Sequence, residues 1–460
     1  SNPFEPATDG IDFYESLEGM RVVVAAPVAV SPTATFGDGA TGEVFTLVER
    51  GAHAVPDDAR TAAGGILLQP HPDNRGDQNP ERVQVQFEAG VYPDAVPEMG
   101  VGDRLGDVIG VVGYSFGNYE VLATETVEVG AAGGAPPGDA PGEPLQARAS
   151  TELVGTADRV TVATYNVGGM NPLPETDARR ALLGEHIAER LSAPDVVALQ
   201  EIQDASGTRG GAGDSTTDAT ATLEAVVEAV IAAGGPRYAF LDVAPGPGAS
   251  GGVPGGNIRN AFLYDSTRVE LADARSPGPE ELREAGARDP DAFDGVRDPL
   301  VGEFSFRGRR FTVVNVHLTS RAGSTPVFGA VQPFVQAGEK EREAQLRALH
   351  DYVASLLAEE PEAAVVVLGD MNTFEFTDDL TGILPGRGDG VILRNLVHDV
   401  PAADRYTYNF EGNSQALDHV FVTEGLADGA GVDVLHLNAD AFEADRASDH
   451  DPVVVRLQVP

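Results

Sequence analysis

Ala364-Val365-Val366-Val367-Leu368-Gly369-Asp370-Met371-Asn372 is an unbroken apolar run that ends on a carboxylate and an amide. Its length and β-branched content predict a buried strand, with Asp370 and Asn372 standing just beyond it. Upstream, Leu346, Leu349, Val353 and Leu356/Leu357 recur at helical spacing, so the strand follows an amphipathic helix.

The same device recurs along the chain. Asn166 follows Val-Ala-Thr-Tyr, Glu201 follows Val-Val-Ala-Leu-Gln, and His317 follows Val-Val-Asn-Val. Asp418/His419 precede Val-Phe-Val, and Asp449/His450 precede Asp-Pro-Val-Val-Val. Strand ends of a buried sheet converge at one edge, so residues hundreds of positions apart can form one polar cluster. Carboxylates, amides and imidazoles together suit phosphodiester hydrolysis: oxygen ligands for a hard cation, a base for water, and donors for the charge that develops on phosphorus. His419 points away from Asp418 by strand alternation and is read as structural. His186 and His350 are given the same reading.

Working outward, residues 159–460 alternate strands with amphipathic helices, with Gly-rich surface loops near 205–218 and 244–257. Residues 1–128 are expected to form a small β domain. Short β-branched runs such as Arg82-Val83-Gln84-Val85-Gln86-Phe87 are separated there by Gly, Pro and Asp clusters. Between them, residues 129–158 include Ala-Ala-Gly-Gly-Ala-Pro-Pro-Gly-Asp-Ala-Pro-Gly and read as a linker. No internal repeat is evident.

Composition bounds the chemistry. The 460 residues carry 72 Asp and Glu against 31 Lys and Arg, a formal net charge of −41, and Lys340 is the only lysine. Such a chain repels itself and polyanions at low ionic strength; at molar salt the Debye length falls to about 3 Å and both penalties fade. The carboxylates are scattered rather than blocked, which favours salt adaptation over recruitment of a basic partner. There are no cysteines, which excludes disulfides and thiolate metal sites. No run of eighteen apolar residues appears, so no membrane-spanning segment is expected. A start at Ser1-Asn2-Pro3 reads as a processed or trimmed chain, which leaves secretion open; an extracellular or cell-surface location is the expectation.

Thr164-Tyr165-Asn166-Val167, Leu199-Gln200-Glu201, Asn315-Val316-His317-Leu318, Gly369-Asp370-Met371-Asn372, Leu417-Asp418-His419-Val420-Phe421 and Ser448-Asp449-His450-Asp451-Pro452 resemble, in order, the motifs of the endonuclease/exonuclease/phosphatase superfamily. Two further segments, 12–20 and the stretch Leu318-Thr319-Ser320-Arg321 through Gln332-Pro333, resemble large extracellular nucleases in which a small OB-like β domain comes first.

The resemblance implies a DNase I-like α/β four-layer sandwich of two mainly antiparallel sheets flanked by helices. It implies a metal-dependent phosphodiesterase, a secreted nuclease acting on DNA, with RNA as an alternative substrate. Mg²⁺ is the implied cation, with Mn²⁺ or Ca²⁺ as alternatives. Asn166, Glu201 and Asp449 are implied metal ligands. His450, oriented by Asp418, is the implied general base or phosphate-protonating group; Asp370 and Asn372 position water and the non-bridging oxygens. His317 and Arg259 are implied contacts to the scissile phosphate, where a guanidinium fork suits the anion. Gly168 stands where some relatives carry an acid, which leaves the number of metals open. The competing readings are a phospholipid or inositol phosphate hydrolase using the same site, and a surface-binding module without activity.

Counterion release contributes little to binding at molar salt, so metal-bridged and hydrogen-bonded phosphate contacts must carry affinity. The expected outcome is hydrolysis that requires both a divalent cation and high salt. Maximal activity at low salt without metal would overturn the adaptation reading.

Overall fold

The computed structural model describes residues 4–37, 39–52, 59–72, 75–130 and 150–460. The greater part of the expected linker, 131–149, lies outside the described residues. Residues 160–459 form two six-stranded sheets packed face to face. In the first the order is Ala239–Asp242, Arg259–Tyr264, Val196–Ile202, Val160–Met170, Val453–Leu457, Gly431–Val434. In the second it is Glu270–Arg275, Leu300–Phe306, Arg309–His317, Val365–Asp370, Asp418–Val422, Arg394–Asn395.

Strand alternation explains the layers. Val160 and Val162, with Val366 and Leu368 opposite, face the interior between the sheets. Ala163, Tyr165 and Val167 face outward under Asp177–Glu185 and Thr220–Ala232. Val365 and Val367 face the helix Glu339–Glu359 through Leu346, Leu349 and Val353. Helix, sheet, sheet and helix make the four-layer α/β sandwich of a DNase I-like fold, with a core buried on both sides of each central strand.

Although the sequence carries no repeat, the two sheets share one pattern of strand directions. In each, only the middle pair is parallel: Val160–Met170 with Val196–Ile202, and Arg309–His317 with Val365–Asp370. Their outer neighbours are all antiparallel. Parallel strands end at the same edge, and antiparallel neighbours begin there. Asn166, Glu201, His317 and Asp370 therefore leave the sandwich where Asp418 and the segment before Val453 enter it.

Residues 21–130 form a separate sheet. Arg21–Val24 pairs with Val108–Ser115, which pairs with Asn118–Ala123. Asn118–Ala123 runs parallel to Val83–Phe87, then Thr41–Leu47 and Val28–Ala29 follow. The order continues from Val28–Ala29 through Arg104–Leu105 to Val129–Gly130, and the sheet packs around Val44, Val85, Phe87, Val108 and Val121. One strand leaves this unit: Ile66–Leu67 pairs in parallel with Asn413–Gln415 of a hairpin whose other strand is Tyr408–Phe410.

Gly369 marks the tightest backbone approach in the second sheet. Its φ is 136, and a Cβ there would lie 1.9 Å from the Val316 carbonyl oxygen on the neighbouring strand. Main-chain atoms on both sides leave nothing soft to yield. Gly369→Ala is expected to destabilise by about 3 kcal/mol or more, measured by guanidinium unfolding in molar KCl.

Candidate active site

Asp370 is the meeting point. It is the last residue of Val365–Asp370 and almost wholly buried. Its Oδ1 accepts from the Asn372 amide at 2.9 Å, and its Oδ2 accepts from Asn166 Nδ2, on the opposite sheet, at 3.0 Å. His317 Nε2 lies 3.4 Å from the same Oδ2, and His450 Nε2 3.8 Å. Asn372 adopts φ 51, a left-handed turn that Asn tolerates well, and its Nδ2 donates to the Leu318 carbonyl at 3.2 Å.

Glu201 reaches the same point through a bulge. The ladder between Val196–Ile202 and Arg259–Tyr264 slips between Leu199 and Ile202, and Glu201 takes φ 62, strained for a residue with a Cβ. Bulges beside sites re-aim side chains. Here the carboxylate turns to Asn166 Nδ2, 3.3 Å away, and lies 3.9 Å from His317 Nε2. Asn315 bridges the sheets beneath, donating to the Leu199 and Ala261 carbonyls and accepting from Gln200 Nε2 at 2.7 Å.

Asp418 Oδ2 holds His450 Nδ1 at 2.8 Å, leaving Nε2 facing the cleft. The Tyr408 ring packs over the imidazole, with centroids 4.6 Å apart. Ser448 fixes the approach of this segment: its hydroxyl donates to the Asn166 carbonyl at 2.7 Å and accepts from the His450 amide at 3.2 Å. Asp449, beside it, lines the cleft. His419 turns to the other face, against the Thr373 carbonyl and Asn395, and burial pushes its pKa down to about 4. It is a neutral structural residue.

Burial raises the Glu201 pKa, and the charge of Asp449 raises it further. Burial likewise lifts Asp370 to about 7, opposed by the charge of His450 and reinforced by that of Asp418. Burial alone would lower His450, but the charges of Asp418 and Asp370 and the hydrogen bond to Asp418 outweigh it and hold the imidazole well above its ordinary range. His317, fully buried and beside Arg297, is held far below it and is neutral. The site is thus a crowd of carboxylates that repel one another, as expected where a hard divalent cation supplies the missing charge.

Asp370, Asp418 and His450 place one ligand atom each within 4.8 Å of one another. The Asp418–His450 bond, however, already uses that pair for orientation. Glu201, Asp449 and the Asn166 amide oxygen form the alternative oxygen set; that amide oxygen accepts only the Gly168 N–H.

The structure corrects the placement of Arg259. It is 3% exposed, and its guanidinium is spent on Asp242 at 3.0 Å, the Asn257 carbonyl at 3.2 and 3.0 Å, and the Thr217 carbonyl. It clamps the two Gly-rich loops and is not among the cleft-lining residues. Arg297, which sequence reading missed, is the arginine whose charge reaches the cluster, although it lines a neighbouring cavity with Arg259 rather than the cleft itself. It donates to the Leu318 carbonyl at 2.7 Å, its Nε has no partner, and its charge acts on Glu201, Asp370 and His317. Its signal was available: Val296-Arg297-Asp298-Pro299 precedes the strand Leu300–Phe306, which begins at the site edge.

The cleft is closed on one side by residues 320–327 and Phe334, and on the other by Tyr408, Phe410 and Glu411. Gln78 adds a residue from the N-terminal unit. Arg342 bolts both ends of the 320–337 loop, donating to the carbonyls of Thr319, Ser320 and Ala337 at 3.1, 3.2 and 3.0 Å. Tyr14 and Tyr119 pack on Phe328 from the N-terminal side, and Tyr114 donates to its carbonyl at 3.2 Å.

Comparison with known proteins agrees with this architecture. The model of the Endonuclease/Exonuclease/phosphatase family matches residues 163–450, and that of a domain of unknown function matches residues 1–132. The chain therefore belongs to the endonuclease/exonuclease/phosphatase family and is a phosphoester hydrolase. No curated protein matches it. Among solved structures, a humanized D. rerio TDP2 is 17% identical, with 65% of this chain and 99% of that chain covered and a TM-score of 0.42. The D. rerio TDP2 complexed with single-strand DNA product is 18% identical, covering 65% and 98%, with a TM-score of 0.41. The human Nocturnin catalytic domain with bound sulfate is 15% identical, covering 66% and 96%, with a TM-score of 0.42.

Asp418→Asn keeps the shape of the pair and removes the charge that stabilises the imidazolium. Turnover is expected to fall on the order of 100-fold or more. In EDTA-treated protein the His450 titration followed by NMR should move to lower pH, because the protonated form has lost its counter-ion.

Proposed function

We propose that this chain is a divalent-metal-dependent nuclease that hydrolyses phosphodiester bonds of DNA outside the cell of a salt-adapted organism. The observation that carries the reading is the convergence on Asp370 of acids, amides and imidazoles from both sheets. Glu201 and Asp449, with Asn166, would hold a divalent cation such as Mg²⁺, which when bound polarises the phosphate and acidifies water. Asp418 fixes the His450 ring so that Nε2 faces the phosphate. Asp370 and Asn372 hold the attacking water in line, and His317 meets a non-bridging oxygen while Arg297, behind the cluster, offsets its charge. The small all-β sheet that precedes the catalytic fold supports reading that unit as OB-like. The scattered acidity supports the salt-adapted setting.

The test is hydrolysis of linear and circular DNA, RNA, sphingomyelin and inositol phosphates in molar KCl with Mg²⁺ or Mn²⁺. Wild type is compared with Glu201→Ala and His450→Ala. DNA cleavage that requires metal and is lost in both variants is the expected result. Turnover confined to a lipid or inositol phosphate, lost in the same variants, would keep the site and overturn the substrate.

A further inference from the structure

Arg321 is the only Arg or Lys among the described residues that line the cleft, whose lining also includes Glu201, Asp370, Glu411 and Asp449. In a chain with 72 acids to 31 basic residues, many arginines are taken: Arg259, Arg268, Arg275, Arg288 and Arg347 all pair with carboxylates. Arg321 does not. Its half-buried guanidinium lies over the Phe374 ring, 4.1 Å from the centroid, with no carboxylate or carbonyl bonded to it among the described residues.

Its position is fixed nonetheless. Phe374 is 1% exposed and stacked on Phe376, and Arg342 holds the loop that carries Arg321 at both ends. Burial and the nearby charge of Arg342 press on the guanidinium, a cost that an anion would relieve. The charges acting on Glu201, Asp370, His317 and His450 are chiefly one another's and those of Arg297, Asp418 and Asp449. Arg321 enters the same cleft from its 320–327 wall, over Phe374, and not from the strand ends that carry Glu201, His317 and Asp370.

We propose that Arg321 binds a phosphate neighbouring the scissile one, so that the cleft takes a substrate with successive phosphates, a nucleic-acid strand, rather than a lipid with a single phosphodiester. The proposal rests on the phosphodiesterase reading above and narrows its substrate class. A planar fork held flat on an aromatic ring presents its free edge to a phosphate in fixed orientation. Phe334 and Phe410, which also line the cleft, offer faces on which adjoining bases can stack. At molar salt a hydrogen-bonded, pre-placed guanidinium still discriminates where diffuse positive charge does not.

The experiment compares kcat/KM for a ten-nucleotide single strand with that for bis(p-nitrophenyl) phosphate, in molar KCl with Mg²⁺, for wild type, Arg321→Gln and Arg321→Lys. The ratio of strand to small diester is expected to fall roughly tenfold or more in Arg321→Gln through KM, with partial recovery in Arg321→Lys. Anisotropy of a labelled strand bound to Glu201→Gln, with and without Arg321→Gln, should show the same loss. An unchanged ratio in an active, folded variant would overturn the proposal. Equal loss on both substrates with unchanged Tm would place the guanidinium at the scissile phosphate and overturn it as well. Wild type inactive on both the strand and the small diester would instead sink the phosphodiesterase reading.

Discussion

The site exists because two parallel strand pairs, one in each sheet, end at the same edge of the sandwich. Antiparallel pairing alternates strand ends and would scatter them; a single parallel pair per sheet brings two C-terminal ends together, and face-to-face packing brings the two pairs together. Asn166 and Glu201 from one sheet and His317 and Asp370 from the other are then neighbours by construction. The antiparallel strands that flank each pair start at this edge, which supplies Asp418 and His450 without further backbone rearrangement. Asn315 completes the join: its amide satisfies the Leu199 and Ala261 carbonyls, next to the point where the bulge interrupts the ladder. An interruption that would otherwise leave buried acceptors unpaired becomes the means of aiming Glu201.

The same geometry concentrates negative charge. Four carboxylates, Glu201, Asp370, Asp418 and Asp449, all partly or wholly buried, converge within a chain that is already strongly acidic. The protein offsets this locally and sparingly, with Arg297 behind the cluster and a charged His450 held by Asp418. Each is desolvated, so each acts at short range with little screening, whereas the surface charges are screened by salt. The cations nearest the cluster are thereby kept inside, beside the carboxylates they act on.

How much of this was legible in the sequence follows from the same distinction between local and long-range information. The strand-end residues could be read because each motif is contiguous: an apolar run states where the strand stops, and the next polar residue states what stands at the edge. The layers could be read for the same reason, since alternation and helical period are local. Arg259 and Arg297 could not be sorted. Arg259 opens, and Arg297 shortly precedes, an antiparallel strand that begins at the site edge, and the difference is that Asp242, on the adjacent strand, captures Arg259. Which arginine meets an acid is a property of pairing across the sheet, and local sequence does not contain it. The pairing of Ile66–Leu67 with Asn413–Gln415 was illegible for a stronger reason: two short strands hundreds of residues apart carry no signal beyond their β propensity.

That last contact changes what the N-terminal unit is for. A linker-tethered β domain could in principle be an independent neighbour, free to swing. Here the hairpin 408–415 is shared: one strand continues the sheet to Ile66–Leu67, and the other carries Tyr408, whose ring covers His450. Val101 donates to the Asp440 carbonyl, Asn409 donates to the Val30 carbonyl, and the Tyr14–Tyr119–Phe328 cluster grips the loop opposite. Both walls of the cleft are therefore held from the N-terminal side. A catalytic constellation keeps its geometry only when the groups behind it are themselves locked. For this chain the packing behind His450, and the width of the cleft in front of it, depend on the docking of a sheet that contributes none of the converging acids or imidazoles.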